Sequence, residues 1–336
     1  MTFRIGCYGV HSYEAPYFEN LNKYNYDLKL LPEFLTHDNI DLIEDCDAVL
    51  LRGNCIADRQ NLSKMAEYGI KLVFTRTVGF DHIDLDAAAE FGMKVTRVPG
   101  YSPRSVAELA FTQAMMLFRH TALATNRTSQ KQFKVTPEFF SPEIHESTVG
   151  IIGMGNIGYA EAKMWKALGA RVLAYDLSVK EFSLDTVEKF VSLEELAQEC
   201  DIISIHAPYV RGKNEQMISR DIINQMKPTG ILINTARGEL VDHDAVIDAL
   251  KENCLGGFAA DVLVDESQVF GHNFDPSEKL PNETITELTN LYPKAIITPH
   301  MGSLTKPALE GMITTSFENF HLALTEDSYP NEVIKK

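Results

Sequence analysis

The chain has 336 residues, of which 45% are hydrophobic and 23% charged, and its formal net charge is −16. This length allows two domains with separate cores, and the acidic balance argues against binding to nucleic acid or to anionic membrane surfaces. The five cysteines form no CxxC pair, and neither a signal peptide nor a long apolar span occurs, so we expect free thiols, no metal site and a cytoplasmic location away from the membrane.

Short apolar runs alternate with helix-sized segments in the first hundred residues. The runs are FRIGCYGV, YDLKLL, DAVLL, KLVFTRT and MKVTRV. This alternation predicts βαβ units and a parallel sheet covered by helices on both faces. A long helical pattern, RSVAELAFTQAMMLFRHTALATNRT, comes next, with Ser102 as its N-cap and Pro103 at the first helical position.

A second series of strand-like runs occupies the remainder of the chain and ends in a helical segment at 305–326. The runs are TVGIIG, ARVLAYD, DIISIHAP, GILINTA, GGFAADV and AIITP. We therefore predict an α/β protein of two Rossmann-like, doubly wound parallel-sheet domains with a cleft between them. Because the last helix should return to the first domain, the prediction assigns 1–101 plus 300–336 to a substrate domain and 102–299 to a cofactor domain.

The sharpest local motif is a GxGxxG turn formed by Gly153, Gly155 and Gly158 between a strand and a helix. Such a turn lets the backbone and a helix N-terminus approach a pyrophosphate. The next strand ends in Asp176, 18 residues after Gly158, where a carboxylate would bind the adenosine ribose and repel a 2′-phosphate. The predicted cofactor is NAD. The turn GCYGVHSYE lacks the third glycine, so the first domain is assigned to the substrate.

Ionisable residues follow three later strands, at the sheet edge where ligands of parallel sheets bind. Arg237 follows GILINTA, Asp261 and Glu266 follow GGFAA, and His300 follows AIITP. Each alone has a simpler interpretation as a structural loop residue. Together they indicate a catalytic set in an NAD domain.

The order GxGxxG…Asp…NTARGxLVD…DVxxxE…TPH resembles the D-specific 2-hydroxyacid dehydrogenase family. The resemblance covers nearly the whole chain, including VGFDHID and VPGYSPRSVAE. It implies that Arg237 holds the 2-oxo acid carboxylate, that His300 exchanges a proton with the carbonyl oxygen, and that Glu266 orients His300 and favours its protonated form. It also implies substrate contacts from the backbone of Val78 and Gly79 and from Tyr101.

The same resemblance implies the cofactor contacts and a homodimer formed through the cofactor domain. The family's NAD-contact positions correspond here to Gly153, Gly155, Asn156, Ile157, Gly158, Asp176, His206, Ala207, Pro208, Asn214, Thr235, Ala236, Arg237 and Asp261.

Arg52 ends the strand in DAVLLRGNC and bears on the choice of substrate. The simpler interpretation is that the strand has reached solvent. Lactate-type relatives commonly have tyrosine here, so an arginine would place a second cation at the substrate side chain and could bind a distal carboxylate. RGNC and RHTA look like the 2-hydroxyglutarate dehydrogenase branch. The prediction is an (R)-2-hydroxyglutarate dehydrogenase; the alternative is an enzyme for pyruvate, branched-chain or aromatic 2-oxo acids.

Other features separate this chain from its relatives. Formate dehydrogenases have glutamine at the position of Glu266, which disfavours formate oxidation. The segment MGSLT after His300 replaces an aromatic pair usual in lactate-type enzymes. A third hypothesis is a dinucleotide-sensing corepressor of the same fold, which the acidic charge disfavours.

Overall fold

The computed structural model describes residues 2–179, 181–326 and 328–333. The chain forms two compact units, Met1–Ser102 with Leu304–Lys336 and Pro103–Ser303. The predicted boundaries at 101 and 300 differ from this division by a few residues. The difference matters because it assigns His300 to the second unit, where Asp261 binds the backbone of the residues that follow it.

The first unit contains a five-stranded parallel sheet with the order β2-β1-β3-β4-β5. The strands are β1 (Arg4–Cys7), β2 (Asp27–Leu30), β3 (Ala48–Leu51), β4 (Leu72–Thr75) and β5 (Lys94–Thr96). The helices are α1 (Ala15–Leu21), α2 (Arg59–Glu67), α3 (Leu85–Glu90) and the C-terminal helix Lys306–Thr325. Both β3 and β4 are buried along their whole length, as expected for central strands of a covered parallel sheet.

The C-terminal helix covers one face of this sheet through aromatic side chains. Phe317 and Phe320 are fully buried, and the ring of Phe320 stacks on that of Phe74 with 4.4 Å between centroids. Beyond the helix, the chain runs beside the edge strand β5, where Thr96 forms an antiparallel bridge with Glu332. The C-terminal segment therefore completes the first unit.

The second unit contains seven parallel strands in the order β12-β11-β10-β9-β6-β7-β8. The strands are β6 (Thr148–Ile152), β7 (Arg171–Tyr175), β8 (Lys189–Phe190), β9 (Ile202–Ile205), β10 (Ile231–Asn234), β11 (Gly257–Ala260) and β12 (Ala295–Ile297). After β8 the chain returns to the middle of the sheet, where β9 pairs with β6. The strand order therefore runs in opposite directions on the two sides of this pair. Ligands of doubly wound sheets bind where the strand order reverses in this way.

Helices cover both faces of the second sheet. They are α4 (Pro103–Phe118), α5 (Thr121–Ser129), α6 (Asn156–Ala167), α7 (Leu193–Glu199), α8 (Arg220–Ile223), α9 (His243–Lys251) and α10 (Glu283–Asn290). Short 3-10 helices lie at Ile40–Ile43, Pro137–Phe139, Ile144–Glu146, Glu181–Ser183, Gly238–Leu240 and Glu266–Gln268. Among the described residues, no helix combines the length and the apolar character needed to cross a membrane.

Two details differ from the sequence prediction. The single long helical pattern is interrupted at His120, whose φ of +51° is left-handed, so α4 and α5 are separate helices. The imidazole of His120 lies 3.1 Å from the carbonyl oxygen of Phe140, which holds this turn in place. Strand β8 was not predicted because it is a two-residue edge strand with little apolar pattern.

Candidate active site

The turn after β6 is shaped by its glycines. Gly153 has φ of +92°, and a Cβ there would lie 2.6 Å from the amide nitrogen of Ala207. A Cβ on Gly158 would collide with the carbonyl oxygen of Gly153, whereas one on Gly155 would meet nothing within 4 Å. Helix α6 then begins at Asn156 without a side-chain cap. The open side of the turn and the uncapped helix fit a pyrophosphate.

Asp176 follows β7 and lies against this turn. Its Oδ2 accepts a hydrogen bond from the amide of Met154 at 2.7 Å, and its Oδ1 accepts one from the amide of Ser178 at 2.8 Å. Each oxygen keeps acceptor capacity for a ribose hydroxyl. The position fits the adenosine ribose of NAD, and the contact of Asp176 with that ribose remains a prediction.

His206 was predicted as a cofactor contact, but its imidazole lies in the protein interior. The ring hydrogen-bonds through Nε2 to the fully buried carboxylate of Glu161 on α6. Ser204 and Trp165 also donate to this carboxylate, at 2.7 and 2.9 Å. The backbone of His206 nevertheless adjoins the glycine turn, so a contact of this residue with NAD would come from its main chain.

The loop after β9 contains the predicted contacts Ala207, Pro208 and Asn214. The side chain of Asn214 accepts from the amide of Val210 at 2.7 Å and donates to the carbonyl oxygen of Pro208 at 2.8 Å. Asn214 therefore fixes the shape of this loop.

The end of β10 carries Thr235, Ala236 and Arg237. The Thr235 hydroxyl is buried and has no hydrogen-bond partner within the described part of the protein, which fits a donor or acceptor on a bound cofactor. Asn234 accepts from the amide of Ala236 at 3.0 Å and donates to the carbonyl oxygen of Arg237 at 2.8 Å. These bonds fix the turn from which the half-buried Arg237 side chain extends.

Glu266 and His300 form a direct pair in the second unit. Nδ1 of His300 donates to Oε1 of Glu266, while Oε2 of Glu266 accepts from the amide of Leu263 at 2.9 Å. The side chain of His300 is 42% exposed and that of Glu266 is 17% exposed. Because Nδ1 is engaged, Nε2 is the ring nitrogen left to exchange a proton with a substrate.

The loop that carries His300 is wrapped around the buried carboxylate of Asp261. This carboxylate accepts from the hydroxyl of Thr298 at 2.5 Å and from the amides of Met301 and Gly302 at 2.8 and 2.7 Å. Burial raises the pKa of Asp261, although these hydrogen bonds oppose the shift. Asp261 was predicted to contact NAD; the structure gives both of its oxygens a role in holding the loop.

In the first unit, Arg52 belongs to a cluster of charges. Its guanidinium NH1 lies 3.8 Å from Oε2 of Glu14 and 3.4 Å from the carbonyl oxygen of Gly9, and its side chain is 26% exposed. Arg76, on the neighbouring strand end, is buried and bonds both carboxylate oxygens of Glu14 at 3.1 Å. Arg52 is therefore not simply solvent-exposed, because it contacts Glu14 and Gly9. The prediction that it binds a distal carboxylate remains a prediction.

The charges in this cluster influence one another. Burial lowers the pKa of Arg52, and the nearby Arg76 guanidinium lowers it further. Burial opposes ionisation of Glu14, but the two guanidinium groups, Arg76 foremost, outweigh it and hold the pKa of this carboxyl below its usual range. Two cations thus face one anion, and the cluster keeps a positive balance.

The other residues predicted to bind substrate lie on loops of the first unit. The hydroxyl of Thr77 donates to the carbonyl oxygen of Gly79 at 2.6 Å, and Arg97 donates to that of Val78 at 3.2 Å. These bonds use carbonyl oxygens and leave the amides of Val78 and Gly79 to donate to a ligand. Tyr101 packs against Gly311 of the C-terminal helix and is half-buried.

Several residues of these networks were not singled out from the sequence. Arg76 could have been found, because it follows β4 as Arg52 follows β3. Glu161 also had a signal, since it is an acidic residue one turn before Trp165 on the inner face of α6. Glu14 and Thr298 carry no such signal.

Comparisons of sequence and of fold relate this chain to known proteins. The sequence profile described as "D-isomer specific 2-hydroxyacid dehydrogenase, NAD binding domain" matches residues 111–302. The chain is 34% identical over 318 residues to an aromatic 2-oxoacid reductase of Clostridium sporogenes, which covers 94% of this chain and 95% of the relative.

Solved structures are similar over the whole chain. The D-lactate dehydrogenase of Lactobacillus jensenii with NAD+ has a TM-score of 0.83 and 34% identity, covering 99% of this chain and 100% of that one. A D-2-hydroxyisocaproate dehydrogenase has a TM-score of 0.87 and 30% identity, covering 98% and 99%. The chain therefore belongs to the D-isomer specific 2-hydroxyacid dehydrogenase family and is an NAD-dependent oxidoreductase.

Proposed function

We propose that the enzyme reduces monocarboxylic 2-oxo acids, of the pyruvate, branched-chain or aromatic type, to (R)-2-hydroxy acids. The observation that carries the catalytic part is the Glu266–His300 pair, in which one ring nitrogen is fixed and the other is free for proton transfer. The names of the similar proteins, an aromatic 2-oxoacid reductase, a D-lactate dehydrogenase and a D-2-hydroxyisocaproate dehydrogenase, support this range of substrates.

Each step of the reduction depends on a different group. NADH, when bound, supplies the hydride that goes to the keto carbon. Nε2 of His300 supplies the proton to the keto oxygen, so that one hydride and one proton convert the ketone to the alcohol. Glu266 keeps the ring oriented and stabilises its charged form. Arg237 binds the substrate carboxylate through its planar fork of donors. Val78, Gly79 and Tyr101 supply further substrate contacts.

A second candidate substrate is 2-oxoglutarate, which would make the enzyme an (R)-2-hydroxyglutarate dehydrogenase. The observation that favours it is the positive balance of the Arg52, Arg76 and Glu14 cluster. Arg52 contacts Glu14 at 3.8 Å, the carbonyl oxygen of Gly9 at 3.4 Å and the side chain of Tyr13. A guanidinium has five N–H donors, and this one is partly exposed, so it retains donors for a distal carboxylate. The proximity of Glu14 weakens this candidate, since part of the charge already has a partner.

A substrate panel decides between these candidates. NADH oxidation is measured with pyruvate, 2-oxo-4-methylpentanoate, phenylpyruvate and 2-oxoglutarate, and the product is analysed for its chirality. We expect the highest kcat/KM with a monocarboxylate and an R product. A preference for 2-oxoglutarate would replace the first candidate by the second. No oxidation of NADH with any of the four would rule out both candidate substrate classes.

We also propose that the enzyme is a cytoplasmic homodimer joined through the second unit. Phe133, Val135 and Phe140 lie close together in the sequence of this unit and are 74, 81 and 85% exposed, and exposed apolar side chains of this size are typical of an interface. All five cysteines are free thiols, as in a reducing compartment. Light scattering after gel filtration tests the dimer, and cell fractionation tests the location.

A further inference from the structure

The loop Thr298–Gly302, which we call the His300 loop, is held in a demanding conformation. His300 has φ of +53°, in the left-handed region that costs a non-glycine residue free energy. Asp261 binds the loop from one side through the Thr298 hydroxyl and the amides of Met301 and Gly302. A strained residue persists only where its surroundings fix it, so contacts that hold the loop bear directly on the position of the imidazole.

Helix α4 binds the same loop from a second side, at both of its ends. Nε2 of Gln113 donates to Oγ1 of Thr298 at 2.9 Å, and Oγ of Ser105 donates to the carbonyl oxygen of Gly302 at 2.7 Å. The two donors are almost fully buried, with 1% of Gln113 and 5% of Ser105 exposed. Neither residue is among those assigned above to substrate or cofactor.

The directions of these hydrogen bonds require a hydrogen-bond donor at position 113, which Gln113 supplies. The Thr298 hydroxyl has one proton, which it gives to the carboxylate of Asp261 at 2.5 Å. Thr298 must therefore accept from Gln113, and an amide group can donate there whereas an apolar side chain cannot. Gln113 thus donates to Thr298, and Thr298 donates to Asp261. Ser105 fixes the opposite end of the loop.

We propose that Ser105 and Gln113 are positioning residues for catalysis, which hold the His300 loop so that the imidazole keeps its bond to Glu266. This inference rests on the proposed role of His300 as the proton donor. The contacts of both residues are to the His300 loop, and neither bonds the glycine turn or Asp176. Their loss should therefore weaken proton transfer and leave NADH binding intact.

The test uses Gln113→Met, Ser105→Ala and the double variant in the full-length enzyme. A misplacement of about 1 Å can cost on the order of 100-fold in rate, so we expect kcat to fall about 10- to 100-fold in the double variant. The dissociation constant of NADH should stay unchanged. The alkaline limb of the pH–rate profile for reduction should move to lower pH, because the imidazole loses its fixed contact with Glu266.

Ser316→Ala is the matched control. Its hydroxyl donates to the carbonyl oxygen of Met312 at 2.7 Å and is as buried as that of Ser105, but it lies in the C-terminal helix of the first unit. This variant should lower the melting temperature without moving the pH profile. Thr298→Ser should retain activity because it keeps the hydroxyl, and Thr298→Val should lose it.

Hydrogen exchange provides a readout that does not depend on turnover. The amides of Met301 and Gly302 should exchange faster in the Gln113 and Ser105 variants than in Ser316→Ala. If the wild-type enzyme reduces no 2-oxo acid, the proposed function fails, whereas the exchange rates still test the loop contacts. The inference is overturned if the double variant keeps wild-type kcat and exchange, or if NADH affinity falls in proportion to kcat.

Discussion

Arg52 and Arg76 stand at the same level on neighbouring strands and share the carboxylate of Glu14 unequally. Leu51 of β3 pairs with Thr75 of β4, so the two arginines that follow are adjacent. Arg76 binds Glu14 through two contacts at 3.1 Å, while Arg52 approaches it only to 3.8 Å. The inner arginine is thus part of the core, and the outer one retains capacity for a ligand.

Arg52→Met should change substrate selectivity if Arg52 binds a distal carboxylate. A charge-assisted hydrogen bond contributes about 1.5–3 kcal/mol, so kcat/KM for 2-oxoglutarate should fall roughly ten- to several-hundred-fold. Values for pyruvate and phenylpyruvate should hold or rise, because these substrates lack the second carboxylate. The ratio of the two kcat/KM values is the measurement. An equal decrease for all substrates, or no change at all, would contradict a role in recognising 2-oxoglutarate.

Arg76→Met should lower the free energy of unfolding rather than change the substrate selectivity. Glu14 is almost fully buried and would lose its bidentate partner, which typically costs about 3–5 kcal/mol. Urea unfolding of the two arginine variants makes the comparison, and we expect a much lower midpoint for Arg76→Met than for Arg52→Met. Similar midpoints would mean that the two arginines share Glu14 equally.

His300→Gln should remove most of the turnover while NADH still binds. Loss of a general acid usually costs on the order of 10²- to 10⁴-fold in rate, and the cofactor is held by other residues, the glycine turn and Asp176. Steady-state rates and a fluorescence titration with NADH measure the two effects separately. Near-normal turnover would remove His300 from its proposed role.

Glu266→Gln tests the pairing of the same histidine. The amide keeps the shape of the side chain but not its charge, so the loss of rate should be smaller than in His300→Gln. The alkaline limb of the pH–rate profile for reduction should move to lower pH, because a protonated imidazole no longer faces an anion. A profile that stays in place would argue against the electrostatic part of the mechanism.

Asp176 should make NADPH a poor donor. Its carboxylate lies against the glycine turn, where a 2′-phosphate would add a second negative charge next to it. Comparing kcat/KM for NADH and NADPH gives the selectivity, and Asp176→Asn should reduce the difference. Equal use of both cofactors by the wild-type enzyme would mean that the ribose binds elsewhere.

His243 should make the protein less stable in mild acid. It is buried at the start of α9, and burial lowers its pKa from 6.5 to about 4. The unfolded chain therefore takes up a proton between these pH values that the folded protein does not. The free energy of unfolding should fall through this range by a total on the order of 3 kcal/mol. His243→Leu should show a smaller fall, measured by urea unfolding across the range; an identical fall would exclude this histidine as the cause.

The sequence predicts those parts of the fold and site that depend on short, local sequence patterns. The glycine turn, Asp176 and the strand-end positions of Arg237, Glu266 and His300 depend on local spacing and on the rule that parallel strands end at one edge. The contacts of Glu14 with Arg76, 62 residues away, and of Ser105 with Gly302, 197 residues away, have no local pattern. They depend on tertiary packing, which periodicity does not describe.

His206 illustrates the same limit within one motif. Its position after β9 is predictable, but the direction of its side chain depends on a buried carboxylate one helix away. Likewise, the family position of Asp261 suggests a cofactor contact, whereas its hydrogen bonds to the His300 loop are evident only from the structure.

The bridge between Thr96 and Glu332 has a practical consequence for anyone who handles this protein. An uncovered edge strand is a template for pairing with other chains. Here the amide of Val333 donates to the carbonyl oxygen of Val95 at 2.8 Å, and the amide of Arg97 donates to the carbonyl oxygen of Asn331 at 3.2 Å. The tail thus shields β5 from self-association. Deleting the residues from Asn331 onward would expose that edge and favour aggregation.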